Sequence, residues 1–224
     1  MPEREIAVKM MDAQLEQDRG AHGLRERMAQ RQRSRLGTAF HEFHKAGGGG
    51  SVLNVGARGL GRSESMVINL DPGEVVVSGA LEIHPDASGR NRYARDDGRH
   101  LLYGDGEFDW VCCDGVLEHA GSFMQQFKLL KDMNRVARKG LFVTAANRGY
   151  PLDLETGLPL LHWLPAPLWH RLSGQKRGQG RHLLTSAALL RMASLLPGKR
   201  SSDVGHVRLG GPKAHFFLMI RKQG

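Results

Sequence analysis

The chain has 224 residues, 40% of them hydrophobic and 25% charged, with a formal net charge of +9. That length supports one sizeable core with decorations better than two domains, and the balance excludes a disordered or fibrous chain. With no apolar run of about 18 residues, no signal-peptide pattern and only two, adjacent cysteines, the sequence also argues against a membrane span, a disulfide framework and a cysteine-based zinc site, so a cytoplasmic setting is expected.

Residues 1–46 read as a helical cover, with Val8, Met11 and Leu15 on one stripe and Leu24, Met28, Leu36, Phe40 and Phe43 on another, interrupted near Gly20 and Gly23. The arginines between them read as a solvated face. Gly47 to Gly50 is expected to be a flexible joint. Ser51 to Gly56 reads as a strand running into the turn Gly56-Ala57-Arg58-Gly59-Leu60-Gly61, and Met66 to Asp71 as a second strand ending in a carboxylate. The interval from Asn54 to Asp71 is short for a full helix, which rises only about 1.5 Å per residue, so a short helix or irregular turn is expected there. Glycines that let backbone approach a ligand, followed by an acid one strand later, follow the logic of a nucleoside-binding α/β unit. The same glycines also suit plain loop punctuation, and no Gly-x-Gly-x-x-Gly at this turn supports a dinucleotide site.

Phe108 to Cys113 reads as a strand apolar without alternation beyond Asp109, as expected of a parallel strand covered on both faces. It runs directly into Asp114-Gly115-Val116-Leu117-Glu118-His119, acids and a histidine at the strand end where open α/β sheets place their chemistry. Cys112 and Cys113 would point to opposite faces as small buried hydrophobes. Phe123, Phe127, Leu130 and Met133 mark a helix ending near Lys139-Gly140, and Leu141 to Asn147 reads as another parallel strand. Residues 148–182, rich in proline and tryptophan, read as a substrate-facing lid or a cap packed on the sheet, with interfacial lipid contact as a variant. Leu183 to Leu196 is expected to be a helix burying Leu184, Ala187, Ala188, Leu190 and Leu195. Val204 to Leu209 and Ala214 to Arg221, joined at Gly210-Gly211-Pro212-Lys213, form an expected antiparallel pair. Residues 171–224 carry 11 Lys and Arg against the single acid Asp203. Such a basic third suits either a solvated surface or attraction of phosphates on RNA, a nucleotide-linked sugar or a lipid head group.

Over residues 50 to 150 the chain resembles the class I S-adenosylmethionine-dependent methyltransferases, in particular the type 11 branch. Asp97 through Asp109 and Phe108 through His119 carry the likeness: an acid and a small residue, an aromatic, Asp-Gly-x-Phe-Asp, an apolar strand and Leu-Glu-His. The family's first turn usually has an acid followed by glycines two, four and six residues on, whereas this chain has Asn54, Gly56, Arg58 and Leu60, with glycines displaced to 59 and 61. The resemblance implies one α/β domain over 1–224, built on a Rossmann-like, mostly parallel seven-stranded sheet with an antiparallel C-terminal pair and helices on both faces. It implies S-adenosylmethionine as cofactor. Asn54, Gly56, Ala57, Arg58 and Gly59 would lie against its methionine part, Asp71 would hold the ribose hydroxyls, and Asp97 with Gly98 would meet the adenine amine. Asp114, Gly115 and His119 would stand at the cofactor's exposed edge. Some bacterial members have a stretch like Tyr150 to Pro165, in which Asp153 and His162 occupy matching positions. His119 is then the first candidate base, because imidazole titrates near neutral pH, with Asp153 and His162 as further candidates. The acceptor is expected to be a small molecule, sugar or lipid-linked group. RNA methylation and non-catalytic binding on the same scaffold are the alternatives.

Overall fold

The computed structural model describes residues 23, 26–55, 101–151 and 182–223, together with the backbone of 75–79 and 92–95. The described residues form a seven-stranded sheet in the order β3-β2-β1-β4-β5-β7-β6. Its strands are β1 (Val52–Val55), β2 (Val75–Gly79), β3 (Arg92–Arg95), β4 (Phe108–Cys113), β5 (Ala137–Ala146), β6 (Arg200–Arg208) and β7 (Lys213–Lys222). The first five are parallel, and β7 runs antiparallel between β5 and β6.

Period-two side-chain alternation sorts the central strands onto two covered faces. On one face Val52, Trp110, Cys112 and Phe142 pack with Leu36, Phe40 and Phe43 of the first described helix, α1 (26–46). On the other, Leu53, Val55, Val111, Cys113, Leu141 and Val143 meet α2 (Phe123–Val136) and α3 (Ser186–Ser194). This double burial explains why β4 reads as an unbroken apolar run: all six of its residues are buried. Cys112 and Cys113 do fall on opposite faces, and burial pushes the Cys113 thiol up to about 12 and that of Cys112 well above its ordinary value. Both thiols are therefore expected to resist alkylation by iodoacetamide in the native protein and to react fully in denaturant; native labelling would show that β4 opens.

Several sequence expectations change. The strand beside β1 is Val75–Gly79, and residues 56–74 separate the two, so the chain has more room between these strands than the Asn54 to Asp71 interval implied. Met66 to Asp71 lies outside the described residues. Helix α2 stops at Val136, not at Lys139-Gly140, because Ala137 turns directly into extended backbone and starts β5. A capping box between Ser122 and Gln125 starts α2, and its buried face is Gln126, Leu129, Leu130, Met133 and Asn134, whereas Phe123 is exposed. Thr185 caps α3, which sets its inward row to Leu189, Met192, Ala193 and then Leu196; Leu190 and Leu195 are exposed.

Gly47 to Gly50 is a pinned turn rather than a flexible joint. Gly49 O accepts from Trp110 Nε1 at 3.0 Å and Lys139 Nζ at 2.8 Å, and Gly50 O accepts from His44 Nε2 at 2.9 Å. Gly50 has φ +118°, and a Cβ there would strike the Asp109 carboxylate. Asp109 accepts from Ser51 N at 3.1 Å and from Arg138 Nε and Nη2 at 3.0 and 2.7 Å. Burial opposes its charge, but these bonds and the Lys139 ammonium outweigh it and hold the carboxyl below its usual range. Arg135 likewise fixes the segment ahead of β4, donating to Asp132, Asp105 and the carbonyls of Leu101 and Tyr103 at 2.7–2.9 Å.

Candidate functional site

The chain leaves β1 toward β2 on one side, while β4 leads to β5 on the other, so the strand order reverses between β1 and β4. In open α/β sheets the crevice beyond the carboxyl ends of strands at such a switch point is where ligands bind. Four of the sequence-predicted site residues are described there: Asn54 in β1, Asp114 and Gly115 just past β4, and His119 in the short 3-10 turn Leu117–His119. Gly56, Ala57, Arg58, Gly59, Asp71, Asp97, Gly98, Asp153 and His162 lie outside the described residues.

Asp114 and Gly115 are tied to β5 through Thr144. Thr144 Oγ1 donates to Asp114 Oδ1 at 2.5 Å and accepts from Gly115 N at 3.1 Å. Burial pushes the Asp114 carboxyl above the usual carboxylate range, against the Thr144 hydrogen bond and the charge of Arg33 on α1, which both pull it down. Gly115 has φ +63°, a left-handed conformation that most side chains avoid, and a Cβ there would meet nothing closer than Glu118 Oε1 at 3.9 Å. The strand end thus presents a carboxyl and a bare, side-chain-free peptide held at fixed geometry. Asn54 is fully buried on the α1 face, and its Oδ1 accepts from Cys112 Sγ at 3.3 Å. It bridges β1 and β4 within the sheet and brings no negative charge to the turn.

His119 is half-buried, its backbone N–H donating to Val116 O at 2.9 Å. Its neighbour Glu118 is buried and joins three segments. Its Oε2 accepts from Ala146 N at 3.4 Å, and its backbone O accepts from His182 N at 2.8 Å. Gln126 Nε2 donates to His182 O at 2.8 Å, so the backbone of His182 is held on both sides. At the opposite end of the 148–182 stretch, Tyr150 is buried and its hydroxyl donates to Leu209 O at 3.1 Å. Thr144, Glu118 and Gln126 were not singled out from sequence. Thr144 had left a signal, as the one polar side chain within the run Leu141 to Ala146. Glu118 and Gln126 act through backbone partners far along the chain, which no local pattern reveals. Among the described residues no group of His, Cys, Asp and Glu could hold a metal ion, and no helix is long and apolar enough to cross a membrane.

This sheet order, with its switch point and antiparallel last strand pair, defines an open, mostly parallel α/β fold. Residues 45–144 match the family model described as a methyltransferase domain, in keeping with the resemblance to the class I S-adenosylmethionine-dependent methyltransferases. No curated protein matches its sequence. Among solved structures it is similar to magnesium protoporphyrin IX methyltransferase from Synechocystis PCC 6803 with bound S-adenosylhomocysteine, at 13% identity and TM-score 0.59, covering 88% of this chain and 86% of that one. It is also similar to 1,6-didemethyltoxoflavin-N1-methyltransferase from Burkholderia thailandensis, bound to 1,6-didemethyltoxoflavin and S-adenosylhomocysteine, at 14% identity and TM-score 0.56, covering 84% and 77%. A third similar structure, at 18% identity and TM-score 0.58 over 84% and 81% of the two chains, is the [4+2]-cyclase SpnF. These likenesses show the fold.

Proposed function

We propose that the chain transfers a methyl group from S-adenosylmethionine to a small-molecule, sugar or lipid-linked acceptor at the carboxyl edge of β1 and β4. The observation that carries this reading is the Asp114-Gly115 strand end held by Thr144 at the switch point, a carboxyl beside open backbone that fits a polar, nucleoside-bearing ligand. The similarity to magnesium protoporphyrin IX methyltransferase and 1,6-didemethyltoxoflavin-N1-methyltransferase supports it. When bound, S-adenosylmethionine supplies an electrophilic methyl carried on a sulfonium. The protein's task is to bind, orient the acceptor and exclude water.

Gly56 through Gly59 would pass under the methionine part, with Asp97 and Gly98 at the adenine. For the ribose hydroxyls we put Glu82 forward in place of Asp71. Asp71 precedes β2, whereas Glu82 follows Gly79 by three residues, a reach of about 10 Å at most from the carboxyl end of the strand. Glu82 is accordingly the better acid for the ribose hydroxyls. His119 takes the proton from a hydroxyl or ammonium acceptor, with Asp153 and His162 in the 148–182 stretch as the other candidate bases and that stretch covering the acceptor. Transfer forms the acceptor–methyl bond, breaks the sulfur–methyl bond and releases S-adenosylhomocysteine.

Calorimetric titration of the protein with S-adenosylmethionine and S-adenosylhomocysteine tests this. Saturable binding of both is expected. Glu82→Ala and Asp97→Ala should each weaken it about tenfold or more, as loss of a hydrogen bond to a charged group does, while Asp71→Ala leaves it unchanged. Absence of binding at millimolar ligand would favour a non-methylating role, for which the cyclase neighbour is a structural precedent.

A further inference from the structure

At the edge of the sheet opposite the proposed methyl-transfer site, where β4 and β5 begin and β7 ends, lies a cleft of about 800 Å³. Lys128, Lys131 and Asn134 of α2, Asp105 ahead of β4 and Lys222 of β7 line it, and Pro197-Gly198 closes one side. Lys128 and Lys131 are exposed and stand one helical turn apart, with no ion pair among the described residues. Asp132 spends both oxygens on Leu101 N and Arg135, whereas Asp105 holds Arg135 through Oδ1 alone, at 2.9 Å. Lys222 Nζ donates to Ala137 O at 2.6 Å, and burial lowers its affinity for its proton.

We infer that this cleft binds a phosphorylated, hydroxyl-rich small molecule, its phosphate on Lys128 and Lys131 and its hydroxyls on Asp105. Four cations against two carboxylates leave the lining at net +2, so an anion is drawn in. The end of α2 offers an anion no help from its dipole, so the lysine ammonium groups must supply the attraction. The exposed Asp105 carboxylate beside those lysines, with only one oxygen on Arg135, suits the donors of a sugar. A continuous nucleic-acid backbone would set phosphates against Asp105 instead. The volume falls within the range of about 300–1,000 Å³ typical of small-molecule sites. The site is separate from the cofactor edge and does not depend on methyl transfer.

Glucose 6-phosphate is the probe, with glucose and inorganic phosphate as its two halves and a single-stranded RNA oligonucleotide as competitor, followed by calorimetry and amide NMR shifts. Glucose 6-phosphate should bind saturably, more tightly than either half, and shift the amides of Gly106 and Gly198. Lys128→Gln combined with Lys131→Gln, both exposed and compatible with a helix, should weaken it about tenfold or more while leaving the circular dichroism and S-adenosylmethionine affinity unchanged. The inference is overturned if no phosphate probe binds, if the double variant binds equally well, or if RNA displaces the sugar phosphate with a steep salt dependence.

Discussion

Trp110→Ala will lower the stability of the protein by about 3–5 kcal/mol, a loss comparable to the whole margin of many domains. Trp110 is 2% exposed at the centre of the α1 face, edge-on to Phe43 with centroids 5.0 Å apart, and its indole N–H holds Gly49 O. Removing it opens a cavity and also takes away one of the two donors to Gly49 O in the turn between α1 and β1. Because the truncated variant can fail to fold outright, Trp110→Phe separates the two effects. It keeps most of the packing and loses the hydrogen bond, for an expected cost of about 1–3 kcal/mol from the unsatisfied carbonyl and the lost ring volume. Urea unfolding of the two variants checks this. A Trp110→Phe variant as stable as the wild type would show that the turn needs no tether.

Asp114→Asn will weaken S-adenosylmethionine binding about tenfold to a hundredfold, as loss of a charge-assisted hydrogen bond in a partly buried site does, while making the fold more stable at neutral pH. The second half follows from linkage. Burial raises the folded-state pKa of Asp114 above its unfolded value, so between the two the native state binds more protons than the unfolded one. Stability then falls as pH rises through that window. The cost is absent below the unfolded value and complete above the raised folded one. The asparagine variant has no such slope and still offers Thr144 an acceptor. Denaturation series from about pH 4 to pH 8 on both proteins should converge at the acid end and separate toward neutrality. Parallel curves would show that Asp114 titrates alike folded and unfolded. Tighter stability with poorer ligand binding is the trade expected where a carboxyl is kept buried for use.

The architecture was legible wherever burial on both faces left a local trace. β4, the two cysteines on opposite faces, the α1 stripe of Leu36, Phe40 and Phe43, and the β6–β7 pair all follow from runs and alternations within a few residues. Boundaries failed where tertiary contacts overrode local signals. Lys139-Gly140 resembles a helix stop, yet Gly140 lies inside β5, where a Cβ would meet the Ile220 carbonyl and the Trp110 ring. Gly47 to Gly50 resembles a linker, yet Trp110 and Lys139, far along the chain, hold it. In the site, Asp114, Gly115 and His119 were legible because they end an apolar strand. Thr144, Glu118 and Gln126 were not, since what each does depends on partners far along the chain, 28 residues away or more.

β7 lies between β5 and β6 and follows both in the chain, the last of the described strands. As the polypeptide emerges from a ribosome, β5 therefore keeps an unpaired edge until Lys222 has appeared, however early the parallel half has assembled. Unpaired strand edges invite association with other chains. The growing protein thus carries its greatest risk of misassembly in the interval after β5 is made. Losing even the final ten-residue strand would strip both β5 and β6 of their shared partner, leaving the fold open rather than merely shortened.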